Sequence, residues 1–210
     1  DDGAMSTNPY DFLIIGGGIA GASAAYELAA HGSVAVLERE AMPGYHTTGR
    51  SAALFTVAYG HAVVRALAAA SRRLFENPPG GFADHPLVTP RGALFIGRAD
   101  QRGNLEDAAT VQDGAPPLPV ERLDASTAIA LVPVIRRDYI DGAIHEPGAM
   151  DMDVHAIHHG FLRLAHQRGG AIVTDAEVQT LTRSGKTWTA RTPAGTFSAP
   201  VVVNAAGAWA

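Results

Sequence analysis

Cysteine is absent from the 210 residues. Disulfides and thiolate metal sites are therefore excluded, and a reducing compartment is permitted. Basic residues are few: 16 Lys and Arg against 21 Asp and Glu give a net charge of −5. That balance leaves no electrostatic footprint for nucleic acid or an anionic membrane. No apolar run reaches the ~18 uninterrupted residues that a membrane span requires. The longest candidate, Phe12 to Ala30, is broken by four glycines and Glu27. The N-terminal residues lack the basic stretch of a secretory signal, so a soluble, cytoplasmic protein is expected. Asp1 to Ala4 precede Met5 and read as the remnant of an expression tag. Neither an internal repeat nor a Gly-x-Ser-x-Gly nucleophile elbow is found.

What is present is an ordinary globular balance, with 47% hydrophobic and 18% charged residues, against a disordered chain. Tyr10 to Ile15 reads as a short buried strand, followed by a Gly-rich turn and an Ala-rich helix that stops at His31-Gly32. Val34 to Leu37 reads as a second strand. Met42 to Tyr59 has no clean period and reads as a long ordered loop. His61 to Phe75 reads as a helix, most simply a solvated amphipathic one carrying Arg65, Arg72 and Arg73. Leu87 to Ile96 looks extended, with a turn at Pro90-Arg-Gly92. Gln112 to Pro119 is a Pro-rich connector. Asp124 is placed to cap a short helix ending before Pro133. Ile140 to His145 reads as a strand, and Asp153 as the cap of a helix to Gln167. Ala171 to Thr174 reads as a strand. Glu177 to Thr182, Thr187 to Thr192 and Thr196 to Ala199 then read as a β-meander. Val201 to Asn204 is a last apolar strand.

The chemistry is concentrated early. Gly16-x-Gly18-x-x-Gly21 follows a strand and opens a helix. The first glycine permits a tight turn, the second lets backbone approach a pyrophosphate, and the third lets helix and strand pack closely. The helix N-terminus faces the phosphates with free N–H groups and a partial positive charge. Glu38 ends the next strand, 22 residues after Gly16. A carboxylate there accepts hydrogen bonds from ribose hydroxyls and repels a 2′-phosphate, so NAD or FAD fits and NADP does not. The weaker alternative is a Gly-rich turn without a ligand. After Glu38 the chain leaves the strand–helix alternation of an NAD-dependent dehydrogenase. The long loop, mixed elements and meander suit a two-domain flavoenzyme better.

Asp151, Asp153, His155, His158 and His159 form a polar cluster. His155 with His158 or His159 has metal-compatible helical spacing. No His-Glu-x-x-His frame is present, and the cluster reads as a helix start with surface histidines. No metal is expected.

Glu38-Arg-Glu-Ala-Met-Pro-Gly44 and His46-Thr-Thr-Gly-Arg-Ser-Ala-Ala53 resemble the FAD-dependent D-amino acid oxidase and dehydrogenase superfamily. So do Thr56-Val-Ala-Tyr-Gly60, Ala69-Ala-Ser71, Asn77-Pro-Pro79, His85-Pro86, Val132-Pro-Val-Ile-Arg-Arg-Asp138 and Val203-Asn-Ala-Ala-Gly-Ala-Trp209. Within the superfamily the D-arginine dehydrogenases are the best match. The resemblance implies an α/β fold: a Rossmann-like FAD-binding domain of the glutathione-reductase-like type, with a β-meander and an inserted mixed α+β substrate domain. It implies residues 5–80 and 146–210 as two segments of the FAD-binding domain, and 81–145 as part of the substrate domain. It also implies a chain truncated at its C-terminus, with the other half of the enzyme as a separate chain or segment.

For the site, the resemblance implies that Gly16, Gly18, Ile19, Ala20 and Gly21 form the phosphate turn. Glu38 and Arg39 hold the adenosine end. Thr47, Thr48, Gly49, Arg50, Ser51, Ala52, Ala53 and Leu54 wrap the pyrophosphate, ribityl chain and flavin edge. The backbone of Val178 meets the adenine, and Ala205, Ala206 and Gly207 form a second turn under the cofactor. Tyr59 lies on a mobile loop over the substrate, beside Leu54. No catalytic side chain is assigned, because the flavin carries the chemistry. The implied reaction is oxidative deamination of a D-amino acid by hydride transfer from its α-carbon to flavin N5. The imino acid then hydrolyses to a 2-oxo acid. A dehydrogenase would pass electrons to a quinone or another carrier.

Two positions depart from the D-arginine dehydrogenases. They have a histidine where this chain has Leu54, and an acid where it has Ala93. A substrate guanidinium would lose its charge-assisted partner, so arginine is not expected as the preferred substrate. An amino-acid oxidase of the glycine or sarcosine oxidase type, or a non-catalytic FAD-binding protein, is the alternative reading.

Overall fold

A computed structural model describes residues 7–109 and 120–210; the connector expected at Gln112 to Pro119 lies outside them. In chain order the first elements are β1 (Thr7–Pro9), β2 (Phe12–Ile15), α1 (Ile19–Leu28), β3 (Val34–Leu37), β4 (Leu54–Phe55) and α2 (Ala62–Glu76). Next come β5 (Val88–Pro90), β6 (Ala93–Gly97), α3 (Arg102–Ala109), β7 (Glu121–Asp124), α4 (Ala125–Leu131), β8 (Gly142–Glu146) and β9 (Met150–Met152). The last are α5 (Val154–Gln167), β10 (Ala171–Val173), β11 (Thr180–Ser184), β12 (Thr187–Thr192), β13 (Gly195–Ala199) and β14 (Val201–Asn204). The chain divides into two compact units: Asp1–Ser51 with Pro79–His85 and Val154–Ala210, and Ala52–Pro78 with Pro86–Asp153.

The first unit is built on a parallel sheet of order β10-β3-β2-β14. Its strands are apolar because neither face of a parallel sheet meets water: Leu13, Ile14 and all of Val34 to Leu37 are buried. The expected β2–α1–β3 unit is present. Helix α1 packs on α5, and its buried residues are Gly21, Ala22, Ala25 and Tyr26, three of them small enough for close approach. Phe82 is fully buried, with its ring 5.0 Å from that of Phe161 on α5. A Cβ at Gly160 would lie 2.4 Å from the Phe82 ring, so α5 needs glycine there.

The meander is antiparallel β11-β12-β13, with β1 added in parallel at the β13 edge. The first meander strand starts at Thr180, three residues later than expected. The two-residue turn at Gly185-Lys186 sets this register, pairing Ser184 with Thr187. Gly185 has φ +60°, a conformation that suits glycine in hairpin turns. Leu13, Leu37, Ala190 and Phe197 form a shared core under both sheets.

The second unit holds two three-stranded antiparallel sheets, β4-β9-β5 and β6-β8-β7. The extended run expected at Leu87 to Ile96 is two strands in different sheets. The turn between them carries Gly92 at φ +79°. The expected cap of α4 is formed: Asp124 Oδ1 accepts the Thr127 N–H at 2.7 Å. Backbone and hydroxyl hydrogen bonds from Thr127 and Ser126 hold the Asp124 carboxyl down at about 2. Helix α2 departs from a wholly solvated face. Arg65 is buried, and its Nε–H donates to Gly60 O at 2.7 Å.

Candidate cofactor site

The glycines of the first turn are each required for a different reason. Gly16 has φ +102°, and a Cβ there would lie 2.5 Å from Ala205 O. A Cβ at Gly21 would lie 1.9 Å from Gly16 O. At Gly18 a Cβ would meet only the Thr48 hydroxyl, at 3.3 Å. Packing alone therefore demands glycine at the first and third positions, whereas Gly18 keeps backbone open toward the space in front of the turn.

That space is a cavity of about 540 Å³ within the first unit. Gly16, Gly18, Ile19, Ala20, Glu38 and Arg39 line it from the first β-α-β stretch. Thr47 and Thr48 line it from the following loop, and Val178, Ala205, Ala206 and Gly207 from the C-terminal stretch. Gly18 is the N-cap of α1 and supplies no side-chain cap. Thr48 Oγ1 takes the Ile19 N–H at 3.0 Å. The Ala20 and Gly21 N–H groups meet no protein acceptor among the described residues. Such first-turn amides, with the helix dipole behind them, are suited to phosphate oxygens.

Glu38 is buried and both its oxygens are engaged. Oε2 accepts the Gly17 N–H at 2.7 Å and Oε1 accepts the Glu40 N–H at 2.9 Å. It therefore ties the glycine turn to the end of β3 besides facing the cavity. Arg39 stacks over Trp209, 4.3 Å from the ring centroid, and its Nε–H donates to Glu40 at 2.9 Å. His46 lies 2.7 Å from the same Glu40 oxygen and packs on Trp209 with ring centroids 4.4 Å apart. The His46 and Arg39 hydrogen bonds hold the Glu40 carboxyl below the usual carboxylate range.

Other expected site residues are placed differently. Gly49 serves packing: it donates its N–H to Gly44 O at 2.7 Å, and a Cβ there would lie 2.6 Å from that oxygen. Arg50 and Ser51 line a neighbouring cavity of about 410 Å³ with His46, Thr47 and Trp209. The Arg50 guanidinium lies 5.0 Å over the Tyr45 ring, one of the internal pairings open to it. Ala52, Ala53, Leu54 and Tyr59 belong to the second unit. Leu54 pairs with Asp151 in β4-β9, Ala53 O accepts the Met152 N–H at 3.2 Å, and Tyr59 is 69% exposed.

One histidine of the 155–159 cluster corrects the surface reading. His158 is buried. Its Nε2 lies 2.7 Å from Gly17 O, and a carbonyl can only accept, so Nε2 carries the proton. Burial pushes the His158 pKa down; the Gly17 carbonyl and Glu38 oppose that and His155 adds to it. His158 lies among the buried residues of α5, with Ile157, Phe161 and Leu162. No metal-binding group of three side chains occurs among the described residues. Trp209 and His46 lie within the quoted motifs, and Tyr45 falls between two of them. Ala176 and Glu177 also line the cavity, and nothing in their sequence signalled it.

The glycine turn, the open helix N-terminus and the cavity fit a dinucleotide, and relatives agree. A family model described as FAD dependent oxidoreductase (DAO) matches residues 11–210. Glycerol-3-phosphate dehydrogenase 1 of Mycobacterium bovis is 28% identical over 229 aligned positions, covering 100% of this chain and 43% of that protein. The chain thus spans less than half the length of this curated relative. Glycine oxidase from Geobacillus kaustophilus shares the fold with a TM-score of 0.82 at 24% identity, over 97% of this chain and 57% of that one. L-proline dehydrogenase from P. horikoshii gives 0.83 at 20% identity, over 97% and 54%. L-alpha-glycerophosphate oxidase from Mycoplasma pneumoniae, solved with FAD bound, gives 0.76 at 18%, over 93% and 53%. The chain belongs to the DAO family of FAD-dependent oxidoreductases, and its cofactor is FAD.

Proposed function

We propose that this protein takes part in the flavin-dependent oxidative deamination of amino acids, D-amino acids foremost. The observation that carries the reading is the glycine-turn cavity of a DAO-family chain, joined to the amino-acid-enzyme motif His46 to Ala53. FAD supplies the hydride acceptor at N5, and the imino product then hydrolyses to a 2-oxo acid. The chain's own residues bind and orient. The Ala20 and Gly21 amides receive the pyrophosphate. Glu38 fixes the glycine turn and receives the ribose. Arg39 and the Val178 backbone hold the adenosine end. Thr47, Thr48 and Ala205 to Gly207 hold the middle of the cofactor. Leu54 and Tyr59 contact the substrate and keep water from the reacting carbon.

The unit with the cavity is then the FAD-binding part, and the unit from Ala52 to Asp153 contributes substrate-binding residues. Residues 52–78, expected with the FAD-binding part, are assigned to the substrate side. A dehydrogenase passing electrons to a quinone or another carrier is favoured, in a soluble cytoplasmic setting. The absence of an acid at Ala93 argues for a neutral amino acid over arginine. The remaining substrate contacts, including a cation for the carboxylate, would come from the part of the enzyme outside this chain.

A second reading is favoured by the 28% identity to glycerol-3-phosphate dehydrogenase 1 along the whole chain: the substrate is a polyol phosphate and the oxidised bond is C–O. An oxidase of the glycine oxidase type is a third, supported by the shared fold. One experiment separates them. The full-length holoenzyme is mixed anaerobically with D-amino acids, glycine, sarcosine and sn-glycerol 3-phosphate, and flavin absorbance near 450 nm is followed. Bleaching by neutral D-amino acids is expected. Bleaching by glycerol 3-phosphate alone overturns the amino-acid reading, and bleaching by none favours a non-catalytic FAD protein.

A further inference from the structure

Glu146 ends β8 in the second unit with 1% exposure. Its carboxylate has no cationic partner among the described residues. Val57, whose N–H it accepts, belongs to an apolar cluster with Phe55 and Met150. A buried charge in such surroundings is expensive unless it is well bonded. Both of its donors come from one short segment. Thr56 Oγ1–H donates to Oε2 at 2.5 Å, and Val57 N–H donates to Oε1 at 2.9 Å. The Thr56 hydroxyl oxygen in turn accepts the Ala58 N–H at 3.2 Å.

Two residues on, the same segment is held again. Gly60 O accepts from Nε–H of Arg65, at 2.7 Å, and Arg65 is itself buried. Two buried charged side chains therefore pin residues 56–58 and 60. Between them stands Tyr59, 69% exposed. Nothing in packing requires this: an apolar residue at 146 would fill the core at lower desolvation cost. Both Glu146 oxygens and the Arg65 Nε–H engage the segment on either side of this exposed aromatic side chain, while the Arg65 Nη2–H donates to Asp107 O at 3.2 Å.

We propose that Glu146 is a positioning residue, with Arg65 as its counterpart, which fixes Thr56 to Gly60 and so sets where Tyr59 meets the substrate. The assignment of Tyr59 to the substrate rests on the functional reading above; the clamp itself does not. Charge-assisted hydrogen bonds are stronger than neutral ones, which makes a carboxylate the firmer anchor. Glu146→Gln still offers an oxygen to Val57 N–H and an N–H to the Thr56 hydroxyl, and so keeps the geometry without the charge.

The test uses the full-length holoenzyme and compares Glu146→Ala, Glu146→Gln and Thr56→Val. Hydrogen exchange is followed on the peptide spanning residues 54–61, with KM and kcat measured on the best substrate and the flavin spectrum as control. In Glu146→Ala, amide exchange at Val57 and Ala58 rises about tenfold or more. KM rises more than kcat falls, and the flavin spectrum is unchanged. Glu146→Gln recovers most of both effects, and Thr56→Val reproduces them more weakly. Exchange unchanged in Glu146→Ala overturns the clamp. If Glu146→Ala does not fold, Thr56→Val decides: unaltered exchange there overturns the proposal. Increased exchange with KM and kcat unaltered overturns the link to Tyr59 and leaves Glu146 a structural residue. Should the wild type oxidise no substrate, the functional reading fails, while the exchange arm still decides the clamp.

Discussion

At Gly21 there is no room for one methyl group. Gly21→Ala places its Cβ 1.9 Å from Gly16 O, and overpacking of this kind costs about 1–3 kcal/mol. The displaced part is the phosphate turn, so purified Gly21→Ala is expected to retain far less FAD per protein, read as the ratio of absorbance at 450 to 280 nm. Equal retention would remove the turn from the cofactor site. His158 makes a second residue-scale prediction. Its folded pKa lies below the ordinary histidine value of about 6.5. Between the two values the unfolded chain binds more protons than the folded one, so stability rises with pH in that window. It is lost as pH falls below about 6.5 toward the folded value. His158→Gln keeps an N–H for Gly17 O and does not titrate. The melting temperature of the wild type should therefore fall more steeply than that of His158→Gln as pH is lowered. Parallel curves would show that this imidazole is not the group responsible. Burial lowers His159 as well, with His155 and His158 adding to it; it remains in both proteins, so its burial contribution cancels.

At the scale of elements, the β11–β12 hairpin turns on Gly185, whose φ is +60° with no atom within 4 Å of a Cβ there. The demand for glycine is thus one of backbone conformation alone. A β-branched residue in the left-handed region costs about 1–2 kcal/mol, whereas asparagine tolerates it. Gly185→Val is expected to lower the unfolding free energy by about that much in urea, and Gly185→Asn by far less. Equal losses would mean that side-chain volume matters there instead. The same hairpin shows what was legible beforehand. Strands with an alternating pattern or a wholly apolar run, such as Phe12 to Ile15, Val34 to Leu37 and Thr187 to Thr192, declare themselves. The two- and three-residue strands β4 and β9 cannot, since a period needs more residues than they have. The start of β11 was hidden because register comes from the turn, not from Glu177 to Gln179. Within the site, the glycines and Glu38 were readable because the reasons for them are local. His158, Glu146 and Arg65 look in sequence like ordinary polar residues. Their burial is created by partners far along the chain: Gly17 for His158, and Thr56 and Val57 for Glu146.

For the molecule as a whole, the cofactor is a thermodynamic partner of the fold. FAD at a hundredfold excess over its Kd stabilises a protein that binds it only when folded by about 2.7 kcal/mol. Thermal unfolding of the full-length apoprotein should move upward with added FAD and keep rising with its logarithm. No movement at saturating FAD would contradict the assignment of the cavity. The net charge of −5 adds a mild repulsion toward anionic partners, so binding of a dinucleotide must rely on local dipoles and backbone N–H groups.

The central strand β2 pairs on one side with β3 and on the other with β14, Phe12 lying opposite Val201. The cavity floor is assembled the same way, from Gly16 and Ala205 held in mutual contact. During synthesis, at about 5–20 residues per second, the two halves of that floor emerge roughly 10–40 s apart. Throughout that interval β2 presents an open parallel edge, and the other unit must fold in the meantime without separating the two ends for good. The nascent chain therefore has no complete place for its flavin until Ala205 to Gly207 have left the ribosome. Its yield in a cell is then governed by how well that waiting edge is shielded as much as by the stability of the finished sheet.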